Sequence, residues 1–583
     1  MPWVFLAVSL VGAWFTWNAW FPSRGSRVLR VPSFFAGWLT SELAAHHIAW
    51  QAVATVFFVA AGALAEWPGR VGLVVTLCSW AGLLGQLGLG RRSRETVERA
   101  LEGGLGPGYR ERIDREWAEK LESPDPRGRL VIPFLFRDGE VSSVRDLPYV
   151  EGAGPRQRLD VHAPRTGARG APVLLQIHGG GWTIGNKRQQ ALPLMMHLAR
   201  RGWICVAANY RLSPGATFPD HLIDVKQALR WIRENIAEYG GDPDFVAITG
   251  GSAGGHLSAL AALTGNRPEF QPGFEEVDTS VQAAVPFYGA YDFTNSQDHT
   301  MGEGLVSFVE RLVLKKKLED DREAFEQASP LHQVSPDAPP FFVVHGTHDS
   351  LLAVDDARVF AARLREVSRA PVVFAELEGA QHAFELFHSP RTHHVIRGVH
   401  RFLGTVYSEY LQAIQQRAAA GALALCALLL ASFGLGCAGG FDFWRDPPET
   451  PAVSAKPPPL SEPLSTFDWS KHLEEWLPAI DACLARTPSG PAVALFAWSV
   501  SPGHVGVRTR SGDPRRWDCV SRADGGAVER FDPVPPPEKH PAEASPLFSR
   551  TPLEPPTGSC YDHERAFSQD GRFLGWLSYD VCG

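Results

Sequence analysis

The chain has 583 residues, 44% of them hydrophobic and 21% charged, a globular balance that excludes wholesale disorder. Its mean hydropathy of -0.11 excludes a mostly membrane-buried protein, and its net charge of -8 gives no reason to expect nucleic acid as a partner. The apolar residues and the 18 Trp are clumped rather than spread.

The first clump, residues 1–21, carries no charge, and neither do residues 48–65 and 71–90. Each is long enough, at about 18–23 residues, to cross a hydrocarbon core of ~30 Å. Residues 1–95 are therefore predicted to form a membrane region of about three transmembrane helices, joined between the second and third by the polar turn 66–70. Arg24, Arg27 and Arg30 follow the first span; Arg91, Arg92 and Arg94 follow the third. By the positive-inside rule both loops are cytoplasmic, and so is the region that follows, which suggests a bacterial inner-membrane protein. Residues 96–140 read as an amphipathic linker with surface helices carrying Val97, Leu101, Ile113, Trp117 and Leu121.

From residue 141 to 412, short apolar runs alternate with helical patterns. Strands are predicted at 173–177, 203–208, 245–248, 281–286, 341–344 and 372–377, with helices beginning near Pro219 and Leu257. That alternation predicts an α/β fold, a mostly parallel sheet with helices on both faces and the site at the strands' carboxyl ends. Two motifs sit there. Gly250-Gly251-Ser252-Ala253-Gly254-Gly255 contains G-x-S-x-G between a strand and a helix. It places Ser252 on a tight turn at a helix N-terminus, with Gly250 and Gly254 small enough for it. His178-Gly179-Gly180-Gly181-Trp182 follows another strand. Gly180, Gly181 and Ala253 are the candidate oxyanion donors, with Gly179 and His178 supporting the loop.

An acid and a base are expected downstream, in the order Ser, Asp, His. Asp349 follows the strand at 341–344, whereas Asp355 and Asp356 read as first-turn helix acids. His382 follows the strand at 372–377; His388 is a further candidate, and His393, His394 and His400 read as solvated residues of a terminal helix. No spacing supports a metal site. Trp182, Tyr288 and Phe384 are weak candidates for an acyl pocket.

These motifs, with Asn209-Tyr210-Arg211-Leu212-Ser213-Pro214 and Pro286-Phe287-Tyr288-Gly289, resemble the hormone-sensitive-lipase-like branch of α/β-hydrolases, and more narrowly bacterial membrane-anchored carboxylesterases. The resemblance covers residues 141–405. It implies the α/β-hydrolase fold and hydrolysis of small or lipid-like acyl esters by Ser252, with Asp349 and His382 completing a triad and with no cofactor. An amidase or arylformamidase on the same triad is the alternative reaction, and a non-catalytic ligand receptor the alternative class. Many members carry Asp before the nucleophile, where this chain has Gly251.

Residues 413–440 hold a fourth apolar run ending in Gly434-Leu435-Gly436-Cys437, which reads as a transmembrane span or as a lipoprotein signal joined from a second protein. A Pro-rich spacer occupies 441–465. Residues 466–583 are expected to form a small extracytoplasmic α+β domain, with a helix at 469–484 and a strand near 492–500. Cys483, Cys519, Cys560 and Cys582 suit two disulfides there, with three pairings open.

Overall fold

The computed structural model describes residues 1–24, 28–122, 127–298 and 300–435, with side chains to 417, and the backbone of seven strands between 493 and 580. The chain divides into two compact units, 1–436 and 437–583. The first begins with helices α1 (Pro2–Trp20), α2 (Arg30–Glu42), α3 (Ala44–Ala60), α4 (Trp67–Leu105) and α5 (Arg115–Glu122). α1 and α4 are each long and apolar enough to cross a membrane, and α2 and α3 meet at a 93° bend. The turn between α3 and α4 lies at 61–66, slightly earlier than expected, because α4 already starts at Trp67. Trp3 stands edge-on to Trp67 at 5.3 Å, so the first turns of α1 and α4 lie side by side.

Where α1 meets the first half of α4, polar side chains turn inward and large apolar ones outward. Between α1 and α4, Thr16 Oγ1 meets Ser79 Oγ at 2.7 Å, Thr76 donates to Ser9 at 3.0 Å and Gln86 donates to the Ala19 carbonyl at 3.1 Å. Their outward faces expose Val4, Leu10, Val11, Trp17, Val74, Leu77 and Leu84. In water this arrangement forfeits the hydrophobic gain, whereas in lipid it is the favourable one.

The second half of α4 is not a surface helix. Val97 and Leu101 are fully buried, and Ile113, Trp117 and Leu121 are buried with them. The reason is geometric. The apolar stripe at every fourth position of α4 covers one face of the sheet's far edge, where the Val97 side chain abuts Gly398 and Gly104 lies against the backbone of Val372. Val97, Leu101, Ile113, Trp117 and Leu121 thus pack on the core of the first unit.

That core is an eight-stranded sheet. Its members are β1 (Val141–Pro148), β2 (Arg158–Pro164), β3 (Ala171–Ile177), β4 (Ile204–Ala208), β5 (Gly241–Gly251), β6 (Ala283–Phe287), β7 (Phe341–Gly346) and β8 (Val372–Leu377). The order is β1-β2-β4-β3-β5-β6-β7-β8. β1, β2 and β4 pair antiparallel, and β4, β3 and the rest pair parallel. α6 (Leu192–Ala199), α7 (Asp220–Asn235), α8 (Ala253–Leu263), α9 (Thr300–Leu312), α10 (Arg322–Gln327), α11 (Val354–Val367) and α12 (Pro390–Leu435) complete the unit. The central strands β3 and β4 are buried on both faces, which explains their nearly continuous apolar runs, broken only by Gln176. This architecture fits the α/β-hydrolase fold. α12 runs into the fourth apolar clump and stays helical to Leu435; residues 436–440 lie outside the described residues.

The second unit shows a five-stranded antiparallel sheet, order β12-β11-β10-β9-β13, and a two-stranded β14-β15 ribbon. β9 (Val493–Ser501) matches the expected strand; β10 (His504–Arg510), β11 (Arg516–Arg522), β12 (Val528–Val534), β13 (Phe548–Ser549), β14 (Tyr561–Phe567) and β15 (Phe573–Asp580) follow. The expected helix at 469–484 and the side chains of the four cysteines lie outside the described residues.

Leu101→Ala should lower stability by about 2–5 kcal/mol, the range for emptying a closed core. Leu84→Ala, on the outward face of α4, should change it by less than about 0.5 kcal/mol. Thermal unfolding in detergent checks the pair; equal shifts would contradict the assignment of α4 to the core.

Candidate active site

The G-x-S-x-G run joins β5 directly to α8. Ser252 stands between them with φ 59° and ψ −121°, a strained backbone that only a tight strand-to-helix turn imposes. Its N–H is bonded to the Phe287 carbonyl at 3.0 Å, which fixes the turn against β6. A Cβ on Gly254 would lie 2.1 Å from the Ile177 carbonyl oxygen, so only glycine lets α8 approach β3 this closely. Ser252 is half-buried, and the Ala253 N–H opens the helix beside it.

The glycine loop after β3 lies alongside. Gly180 has φ 118°, and a Cβ there would meet the Ile184 carbonyl oxygen at 2.3 Å. A Cβ on Gly179 would come 3.1 Å from the Ser252 Cβ, placing the two motifs in contact. The Gly179 N–H is held by Gln190 Oε1 at 2.6 Å. His178 is buried and stacks on Tyr210 at 4.4 Å, and its Nδ1 lies 2.8 Å from the Gly179 carbonyl. Burial pushes its pKa down to about 4, so it braces the loop as a neutral ring.

Asp349 and His382 come together as the chain order predicts. His382 Nδ1 lies 2.7 Å from Asp349 Oδ2. Asp349 Oδ1 accepts the backbone N–H groups of Leu351 and Leu352, both at 2.8 Å. Burial alone would raise its pKa, but the charge of His382 and hydrogen bonds from His345 and His382 outweigh it and hold the carboxyl well below the usual carboxylate range. Two partners here are not evident from sequence. His345 Nε2 reaches the same Asp349 oxygen at 3.2 Å. Gln381 Oε1 accepts from the Ser350 N–H at 2.8 Å and the His382 N–H at 2.9 Å, pinning the β7 and β8 loops together. The single usable signal for either was proximity in sequence to the acid and the base.

The remaining histidine and acid candidates lie elsewhere. Asp355 and Asp356 occupy the first turn of α11. His388 Nδ1 meets His393 Nε2 at 3.1 Å, and His394 is part-buried on α12. His400 is not solvated: it is fully buried, 3.2 Å from His197, because α12 packs this face against the sheet. Trp182 and Phe384 are core residues. Trp182 donates to His256 Nδ1 at 3.2 Å and meets Phe293 edge-on, while Phe384 packs on Phe287 and Tyr288.

Tyr288 has a more specific place. Its ring centre is 4.5 Å from that of His382, and its hydroxyl donates to the buried Glu385 carboxyl. It also fills the space beside Gly251, where a Cβ would lie 2.6 Å from the Tyr288 oxygen. The absent side chain at 251 is thus matched by a tyrosine and a carboxyl from another loop. Burial pushes Glu385 up to about 7, with the Tyr288 hydrogen bond opposing and Glu42 adding to the rise.

The BD-FAE family model matches residues 159–364, which hold β2 through α11. Probable carboxylic ester hydrolase LipM of Mycobacterium tuberculosis is 47% identical over 407 residues, covering 69% of this chain and 93% of the relative. Esterase LipQ of the same organism is 41% identical over 382 residues, covering 65% of this chain and 85% of the relative. A crystal structure of esterase B from Lactobacillus rhamnosis is 19% identical, covers 55% of this chain and 98% of that one, and has a TM-score of 0.40. The chain belongs to the carboxylic ester hydrolases of the hormone-sensitive-lipase-like α/β-hydrolase branch. It is an enzyme that hydrolyses carboxylic esters.

Gly251→Ala should push the Tyr288 ring, costing about 1–3 kcal/mol through overpacking, and should lower kcat by moving His382. An unchanged melting temperature and kcat would show that Tyr288 is free to give way. Because Glu385 is raised from 4.5 to about 7 in the folded protein, its contribution is complete below about pH 4.5 and is lost as pH rises through about 7. Glu385→Gln should remove that decline, roughly 3 kcal/mol at most, and be relatively more stable at pH 8. Melting temperatures of both forms from pH 5 to 8 test the sign.

Proposed function

We propose that this ester hydrolase works through an acyl-serine intermediate and is anchored in a membrane by its N-terminal helices. The single observation that supports the chemistry is the hydrogen-bonded His382–Asp349 pair, with Tyr288 lying against both the His382 ring and Gly251, the residue before Ser252. The strained Ser252 turn itself lies against Gly179 of the glycine loop.

In this reading Ser252 Oγ attacks the ester carbonyl carbon as His382 Nε2 takes its proton. Asp349 holds the Nδ1–H tautomer and stabilises the imidazolium. The Gly180, Gly181 and Ala253 N–H groups stabilise the oxyanion, at about 3–4 kcal/mol for a single such donor. The carbon–alkoxy bond then breaks, and His382 returns the proton to the leaving alcohol. Water, deprotonated by His382, attacks the acyl-serine, and Ser252 leaves with the proton. Asp349 has the right charge for its part, because its lowered pKa keeps it anionic across the working range.

The inverted polarity of α1 and α4 supports the anchor. With Arg24, Arg30 and Arg91 to Arg94 at the catalytic end of these helices, the positive-inside rule favours a cytoplasmic catalytic domain. An extracytoplasmic second unit follows if the helical run past residue 418 also spans.

Ser252→Ala should reduce kcat for p-nitrophenyl butyrate by at least about 10⁴-fold, the scale of losing a nucleophile, and should abolish labelling by a fluorophosphonate probe. Wild-type turnover by the variant would overturn the Ser252 assignment. The full chain should also stay with membranes after an alkaline carbonate wash; release into the supernatant would contradict anchoring.

A further inference from the structure

Outside the two candidate spanning helices, large apolar side chains are exposed on two further segments that sequence patterning did not single out. One is α2 with the residues just before it, where Val28, Leu29, Val31 and Phe35 are exposed. The other is the stretch 131–135, where Val131, Ile132, Phe134 and Leu135 are exposed, Val131 at 73%. A row of largely buried rings joins them. His46 Nε2 lies 3.1 Å from the Val131 carbonyl. Phe134 packs on Phe387 at 5.3 Å, Phe387 on Trp38 at 5.4 Å, and Trp38 stacks with Phe34 at 5.5 Å.

This ledge is continuous with the apolar exterior of α3, where Val53, Val56 and Phe57 are exposed, and the 93° bend sets α2 across the α3 axis. If α3 runs along the bilayer normal, α2 lies in the bilayer plane, with its apolar face in the acyl region and Arg24 and Arg30 near the headgroups. The opposite face of α2 sits on the active site. Phe34 meets the His382 ring edge-on at 6.3 Å, and Trp38 Nε1 donates to the Ala383 carbonyl at 2.8 Å. α9 and the glycine loop also lie near α2. Phe308 lies against Gly181, Arg30 against Gly304, and Ile184, next to Gly180 in the loop, is exposed.

We infer that α2 and residues 130–135 form a ledge embedded in the lipid surface, and that a bilayer-dissolved ester with a long acyl chain reaches Ser252 directly from the membrane beside Phe34. The ledge is a lipid contact, and the substrate it favours is a lipid ester rather than a water-soluble one. Burying exposed apolar side chains in lipid holds the opening at the depth of the acyl chains, so the ester carbonyl need not cross water. The inference rests on the Ser252 reading.

The test uses the full chain reconstituted in phosphatidylcholine–phosphatidylglycerol vesicles. A triple variant, Val131→Gln with Ile132→Gln and Phe134→Gln, is compared with wild type on soluble p-nitrophenyl butyrate and on bilayer-dissolved p-nitrophenyl palmitate. The expected result is an unchanged butyrate rate and a palmitate rate lowered about tenfold, with Phe134→Leu alone behaving as wild type. Equal palmitate rates in variant and wild type would overturn the ledge. So would a parallel loss on both esters, because the segment would then support the fold and not the lipid contact. Failure of the underlying reading is distinguishable: Ser252→Ala would then retain the butyrate rate whatever the ledge does.

Discussion

The Asp349 carboxylate is the point on which the site depends. Its two oxygens are engaged by two backbone N–H groups and two imidazoles, all within 3.3 Å. A carboxylate this deeply buried is costly unless every lone pair is met. Here the donors come from the β7 loop itself and, through His382, from the β8 loop. Solvating the charge internally and aligning the base are therefore one event. Gln381 repeats the link through neutral hydrogen bonds, so the two loops are joined twice.

The N-terminal helices belong to the same construction. Arg24 donates to the Thr347 carbonyl, His348 Nδ1 lies 3.1 Å from the Ala19 carbonyl, and Trp38 donates to Ala383. Glu42 at the end of α2 pairs with the fully buried Arg391 at 2.8 Å and accepts from Ser389 at 2.8 Å. Breaking such a buried pair leaves an uncompensated charge, at a cost of about 3–5 kcal/mol. Its value is therefore in fixing position: it ties α2 to the segment that carries His382.

Much of the fold and of the candidate site was legible because the signals were local. G-x-S-x-G between a strand and a helix identifies its serine through the steric demands of the turn, and those demands involve residues 250–255 alone. The parallel strands are readable as nearly continuous apolar runs because both faces are covered. Other features were not legible, since their cause lies across the fold. Val97 and Leu101 look like a surface helix until the sheet edge they cover is present. His400 looks solvated until α12 is laid against His197. The antiparallel β1, largely exposed, and β2, buried but carrying Asp160 and His162, give no such run.

The sequence by itself determined the class of chemistry, the chain order of the candidate serine, acid and base, and the presence of charge-free stretches long enough for lipid. These follow from residue type and spacing, which no later packing alters. Only the tertiary structure decided which acid and which histidine meet, that Tyr288 and Glu385 occupy the room left by Gly251, and that polar groups of α1 and α4 turn inward. Each of these is a contact between residues tens to hundreds of positions apart. Such contacts are set by how the sheet and helices close on one another, and a one-dimensional pattern carries no record of that closure.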